Sequence, residues 1–231
     1  MNGLYAELQA LHDRYPALMI ENVSGGGNRL DLGMMRYTDT AWMDDRTVPA
    51  VKVRHNVQGL SAVFPPAYLL SFVLNSTAEP LQNASDLPLA FRSRGQGALG
   101  LCFRTAGLSA ADTAAIAREV VIYKSVRPTL TTAASYLLTK QAAAVNGPTW
   151  DVLQQTAASG GQVILHAVQT DRSVAKVTIK PTGLTSTAVY EVRSVDTGVL
   201  GTATGATLAT LGIDVLASPT SAAHLLTLTI R

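Results

Sequence analysis

The apolar residues change their period near Thr131, and that change limits what the chain can fold into. Ahead of it they recur at helical spacing or gather in short unbroken runs. Beyond it "KVTIKP", "AVYEVRS" and "HLLTLTIR" alternate apolar with polar residues. Leu226, Leu228 and Ile230 then face one way, Thr227 and Thr229 the other. One layer cannot satisfy both periods. The chain is therefore read as an α/β half over 1–133 and an all-β half over 134–231.

In the first half, Leu4, Leu8, Leu11 and Tyr15 make a helical stripe that Pro16 stops. "ALMIEN" reads as a buried strand, cut short by glycines, and "LDLGMMRYT" as a short helix. "TAWMD" reads as a second strand and "VPAVKVRHNVQGLSAV" as a helix opening at Pro49. That alternation predicts a parallel sheet of βα units. Further on, Ser109 and Asp112 have capping-box spacing, Ile116, Val120 and Tyr123 form a stripe, and Arg127-Pro128 ends the helix. In the second half "DTG" at 196–198 marks a turn between alternating runs, which predicts an antiparallel β-sandwich or small barrel.

Bulk composition removes several function classes. With 47% apolar and 15% charged residues the chain is not disordered. A net charge of +2 without a Lys/Arg cluster argues against nucleic acid and anionic membrane as partners. The one cysteine, Cys102, excludes an internal disulfide or multi-thiolate metal site, and its apolar neighbours predict a buried, inert thiol. The start shows no signal peptide, and "FPPAYLLSFVL", the longest apolar run, is too short to span a bilayer. A soluble, cytoplasmic protein is expected. His12 reads as solvated and His55 as a helix-surface or packing residue, while His166 and His224 lie on strands with no acidic partners at metal spacing. No metal and no cofactor are expected.

Residues 21–45, "ENVSGGGNRLDLGMMRYTDTAWMDD", concentrate glycine and aspartate in one stretch. In a parallel sheet the loops after the strands share one end, where chemistry is usually done. Glycines allow close backbone approach to a ligand, and Asp44 and Asp45 beside Trp42 offer an acid against an apolar wall. Taken singly these features are bland. A glycine run is commonly a turn, phosphate-loop spacings are absent, and Asp31 and Asp39 read as caps or surface carboxylates.

The order S-G-G-G-N-R-L-D-L-G-M followed by W-M-D-D-R-T resembles the alpha-galactosidases of glycoside hydrolase family thirty-six. That family reads C-[SA]-[SG]-G-G-G-R-F-D-x-G-M-L and then W-T-S-D-[ND]-T-D. "FPP" at 64–66, "ALG" at 98–100, "YKSVR" at 123–127 and "YEVRSVDTG" at 190–198 resemble it too. The resemblance implies a partial (β/α)₈ TIM barrel, its last βα units, followed by a C-terminal antiparallel β-sandwich. It implies that Asp45 is the general acid/base, that Val23, Ser24 and Gly26 contact the sugar, and that Trp42 and Asp44 line the pocket. The implied substrate is an oligosaccharide with a terminal α-galactosyl residue. Val23 stands where the family has cysteine, and Asp44 where it has serine. A second carboxylate there favours proton retention by the pair where both are poorly solvated.

The implied retaining mechanism needs two carboxyl groups roughly 5 Å apart. The family's nucleophile lies in K-W-D, which these 231 residues lack. "TWD" at 149–151 falls too late in the chain, so Asp151 reads as a helix cap or turn residue. Two βα units cannot close a barrel. Two expectations follow: a chain supplying the acid/base half of a site, completed by the missing barrel portion or a homo-oligomer; or a non-catalytic fragment or stand-alone module that binds carbohydrate or a partner.

Overall fold

A computed structural model describes residues 2–141 and 150–231. Met1 and Thr149 of "TWD" lie outside the described residues. The chain opens with α1 (Asn2–Arg14), β1 (Glu21–Asn22), α2 (Leu32–Met35), β2 (Thr40–Trp42) and α3 (Ala50–Ser61). It continues with β3 (Leu69–Leu74), α4 (Leu87–Arg94), β4 (Ala98–Cys102) and α5 (Ala110–Leu130). The four strands form one parallel sheet in the order β1-β2-β3-β4.

Two of those strands were expected and four are present; the first is confined to Glu21–Asn22, and Leu18 and Met19 of "ALMIEN" are exposed rather than buried in it. The run "LLSFVL" is apolar on both faces, so it lacks the alternation that announces a strand. Leu69, Ser71 and Val73 are buried, while Leu70, Phe72 and Leu74 lie half-buried on the opposite face. Val53, Val57 and Phe64 pack against Ala41, Met43 and Leu69 beneath α3. Each of these side chains larger than alanine contributes about 1.5–3 kcal/mol by leaving water.

Helix α5 begins at the predicted capping box, with Ser109 Oγ accepting from the Asp112 amide at 3.0 Å. It passes through Arg127-Pro128 and ends at Leu130. Pro128 sits in the last turn, where its missing N–H costs one backbone bond and leaves the helix otherwise intact.

The remaining elements are β5 (Ala134–Leu137), β6 (Trp150–Thr156), β7 (Gln162–Gln169), β8 (Lys176–Ile179) and β9 (Val189–Ser194). After them come β10 (Gly198–Thr204), α6 (Gly205–Leu211), β11 (Ile213–Leu216) and β12 (Ala223–Ile230). Six strands form an antiparallel sheet in the order β10-β9-β12-β7-β6-β5, and β11 pairs with β8 as a separate ribbon. Leu165, Tyr190, Leu226 and Leu228 pack with Ile213 and Val215 of the ribbon and Leu208 of α6. The opposite face sets Ile164 and Leu225 against Val126 and Leu130 of α5. The central strand β12 therefore buries both faces, although Ile230 at its end is exposed. Asp196-Thr197 forms the turn between β9 and β10, as "DTG" predicts.

Several expectations change. Asp151 is neither cap nor turn residue: it lies on β6, buried, and forms an ion pair with the equally buried Arg54 of α3. Cys102 is exposed, because it ends the edge strand β4 beyond the helix cover. His12 is half-buried, its Nε2 3.0 Å from the Tyr37 carbonyl oxygen. His166 is buried on β7 with Nε2 2.9 Å from Gln155 Oε1. Burial, reinforced by the Arg92 charge, pushes that imidazole down to about 3.

Candidate active site

Strands β1 and β2 run parallel, with Glu21 opposite Thr40 and Asn22 opposite Ala41. Their C-terminal ends are neighbours, so the loops that follow meet at one end of the sheet.

The first loop is a tight turn that needs its glycines. Gly25, Gly26 and Gly27 have φ of 54°, 68° and 90°, a left-handed path that residues with a Cβ rarely take. The turn closes on itself through the Gly26 amide to the Val23 carbonyl at 3.3 Å and the Asn28 amide to the Ser24 carbonyl at 3.0 Å. Asn28 Nδ2 donates to the Gly25 carbonyl at 2.7 Å, and Arg29 Nη1 reaches Ser24 Oγ at 3.2 Å. Val23 presents its side chain to solvent at 52% exposure, and Ser24 is half-buried. Asp31 caps α2 by accepting from the Met34 amide at 2.8 Å, and Asp39 Oδ2 accepts from the Ile20 amide at 2.7 Å. Both are the structural carboxylates expected.

The second loop lies directly against the first. A Cβ on Gly26 would stand 2.7 Å from Asp45 Cγ and 2.9 Å from both its amide nitrogen and Oδ2. A Cβ on Gly27 would collide with the Met43 carbonyl oxygen. The absence of side chains at 26 and 27 is what lets the Asp45 carboxylate sit beside the glycine turn. Asp45 itself is exposed at the strand end.

Trp42 is buried, and it meets Asp45 by its polar edge rather than as an apolar wall. Its Nε1 donates to Asp45 Oδ1 at 2.8 Å. Asp44 takes separate partners: its oxygens accept from Arg46 Nε at 3.1 and 3.0 Å, from the Arg46 amide at 2.9 Å, and from Asn56 Nδ2. Burial raises the Asp44 carboxyl, but the hydrogen bonds and charge of Arg46 outweigh it and hold the group below the usual carboxylate range. Asp44 is thus a paired anion tied to Arg46 of its own loop and to Asn56 of α3.

A third group holds the loop beyond Asp45. Arg94 of α4 is fully buried; it pairs with Glu79 at 2.6 Å and donates to the Thr47 carbonyl. Glu79 Oε1 in turn accepts from the Ala50 amide, the first of α3, at 2.8 Å. Burial lowers the Arg94 guanidinium, and Glu79 opposes that shift without reversing it. No local pattern in the sequence pointed to Glu79 or Arg94, since 47 and 15 positions separate Arg94 from Thr47 and Glu79. Among the described residues, no three His, Cys, Asp or Glu side chains gather as a metal site. No helix among them is long and apolar enough to cross a membrane.

The melibiase family model matches residues 1–133, the stretch that carries both loops and all four parallel strands. The chain belongs to the melibiase family. Alpha-galactosidase 1 of Pediococcus pentosaceus is 32% identical over 128 residues, which is 54% of this chain and 17% of that protein. The probable alpha-galactosidase C of Aspergillus terreus is 28% identical over 202 residues, 83% of this chain and 25% of that protein. Among solved structures, the alpha-galactosidase of Lactobacillus brevis superimposes with a TM-score of 0.83 at 22% identity, over 99% of this chain and 31% of that one. A variant of alpha-galactosidase AgaA from Geobacillus stearothermophilus, solved with raffinose, gives 0.82 at 21% identity, again over 99% and 31%. At such identities the structural likeness is one of fold. The chain spans between about a sixth and a third of the length of these relatives.

Proposed function

We propose that these residues supply the acid/base half of a retaining glycoside hydrolase site that cleaves terminal α-galactosyl residues from oligosaccharides. One observation supports this most: the Asp45 carboxylate stands against Gly26 and takes the Trp42 N–H, at the shared end of two parallel strands. Asp45 is the proton donor and then the base. Val23, Ser24 and Gly26 form the rim that meets the sugar, with Trp42 lining the pocket. Asp44, engaged by Arg46 and Asn56, orders the loop that presents Asp45. In this reading residues 1–133 are the closing part of a (β/α)₈ barrel, and 134–231 form its C-terminal antiparallel β-domain.

The second carboxylate of a retaining pair would stand roughly 5 Å from Asp45. No K-W-D occurs in these 231 residues, so the nucleophile comes from outside them. The 231-residue chain alone is accordingly expected not to hydrolyse p-nitrophenyl α-galactoside. Joined with a barrel portion that carries K-W-D, it is expected to release galactose first as the α-anomer, followed by proton NMR. First release of the β-anomer would refute the retaining reading. Turnover by the chain alone, abolished in Asp45→Asn, would refute the assignment of the missing nucleophile.

A second reading is favoured by the open edges of the four-stranded sheet, β1 and β4, and by the half-buried Leu70, Phe72 and Leu74 on one face. It makes the chain a binding module for carbohydrate or a partner. No turnover in any assembly, together with galactoside binding that survives Asp45→Asn, would favour it.

A further inference from the structure

Trp42 reaches Asp45 by its N–H edge while its ring rests on Phe72, with centroids 4.7 Å apart and planes 32° apart. Phe72 of β3 is paired across the sheet with Gly100 of β4. A Cβ on Gly100 would run into the Phe72 ring at Cδ1 and Cε1. The Phe72 ring therefore occupies the space that a side chain at position 100 would fill, and there it supports the indole. The other oxygen, Oδ2, lies by Gly26, where an added Cβ would stand 2.9 Å from it.

We infer that Phe72 and Gly100 are positioning residues for the Asp45 acid: through the Trp42 indole they hold Oδ1, leaving Oδ2 to carry the transferable proton. This deepens the reading of Asp45 as the acid/base and rests on it. The chemistry fixes the choice of oxygen, because an indole N–H donates and cannot accept. The oxygen facing it is the acceptor in both protonation states. In the first step the Oδ2 proton passes to the glycosidic oxygen. The electron pair of its bond to the anomeric carbon moves onto that oxygen, the leaving sugar departs as an alcohol, and the second carboxylate, from outside these residues, bonds to the anomeric carbon. In the second step water bonds to the anomeric carbon, gives its proton to Oδ2 and releases the second carboxylate.

The sequence holds two tryptophans, so the chain has two indole N–H signals in a proton–nitrogen correlation spectrum. Trp150 Nε1 donates to the Val174 carbonyl at 3.1 Å, far along the chain from Asp45, and serves as an internal control. Loss of one signal in Trp42→Phe assigns the other. Asp45→Ala, Phe72→Leu and Gly100→Ala are each expected to shift the Trp42 signal and leave the Trp150 signal in place. Should Gly100→Ala unfold the chain, Phe72→Leu, which keeps bulk and removes the ring, carries the test. An unmoved Trp42 signal in Asp45→Ala or Phe72→Leu, with the Trp150 signal intact, overturns the inference.

In a catalytically complete assembly, Trp42→Phe is expected to lower kcat on alkyl α-galactosides by roughly tenfold to a hundredfold, the scale of one hydrogen bond to a charged group. Its effect on aryl α-galactosides and on KM is expected to be much smaller, whereas a purely structural role would depress both substrates alike and so overturn the inference. The coupled indole shifts without any turnover would refute the glycosidase reading alone. Absent coupling refutes the positioning role whatever the activity.

Discussion

At the scale of single residues, Gly26 links backbone conformation to chemistry. Its φ of 68° and its contact with the Asp45 carboxylate both depend on having no Cβ. Gly26→Ala is therefore expected to destabilise the chain by about 1–3 kcal/mol, as left-handed strain at a crowded site does, read from a denaturant midpoint. An unchanged midpoint would mean that the turn is looser than described. The glycine run and the Trp-Met-Asp-Asp run were both legible in the sequence, since each carries an uncommon cluster of residue types. Their division of labour was not. Adjacent carboxylates look equivalent in a sequence, and only the fold shows Asp44 turned to Arg46 and Asn56 and Asp45 to Trp42. The polar use of the indole was hidden for the same reason.

At the scale of elements, the parallel strands that matter are the ones a sequence reports least clearly. β1 is two residues long and β3 is apolar on both faces, so neither alternates. The capping box of α5 was legible because it depends on two residues three apart. The clamp between α4 and the loop after β2 was not, because it joins Arg94, Glu79, Thr47 and the Ala50 amide across long separations. Removing Glu79 would leave the fully buried Arg94 guanidinium without its anion. Glu79→Ala is accordingly expected to cost about 3–5 kcal/mol, with Glu79→Gln costing less because it still accepts the Ala50 amide. Urea unfolding of the two variants checks the order, and equal losses would show that charge does not matter there.

Across the whole molecule, two buried ionic groups join the halves whose differing periods the sequence displays. Arg54 of α3 pairs with Asp151 of β6. Arg92 of α4 binds Glu119 of α5 at 3.0 Å, Asp196 of the β9–β10 turn at 2.7 Å and the Ala223 carbonyl of β12 at 2.8 Å. Burial lowers the Arg92 guanidinium, but its two carboxylates outweigh that and raise it above its ordinary value. Burial also raises Asp196, while Arg92 outweighs it and leaves Asp196 below the usual carboxylate range. Asp151→Ala, which strands Arg54, is expected to destabilise by about 3–5 kcal/mol and to leave Asp45 chemistry unaffected in a complete assembly, measured by unfolding and turnover on one preparation. Loss of turnover without loss of stability would return Asp151 to the candidate nucleophiles.

His166 adds a pH dependence to the same core. Its pKa falls from 6.5 to about 3 on folding, so the unfolded chain binds the extra proton between those values. Stability is then full above about pH 6.5 and declines as pH falls toward 3, by up to about 1.4 kcal/mol per unit. His166→Gln is expected to flatten that slope in urea midpoints taken across the interval, and an unchanged slope would assign it to other groups. The two-part architecture was legible from hydrophobic period alone, while these cross-links were not, because a buried charge and a solvated one look the same in a sequence.

In the proposed function Asp45 gives its proton to the departing sugar oxygen. The direct measurement is the dependence of kcat/KM on leaving-group acidity across α-galactosides, for Asp45 and Asp45→Asn in the same catalytically complete assembly. Asp45 is predicted to give a shallow dependence, and Asp45→Asn a steep one, with losses on the order of 10²–10⁴ for alkyl leaving groups and far smaller ones for activated aryl groups. Two parallel lines, shifted equally for every leaving group, would contradict it.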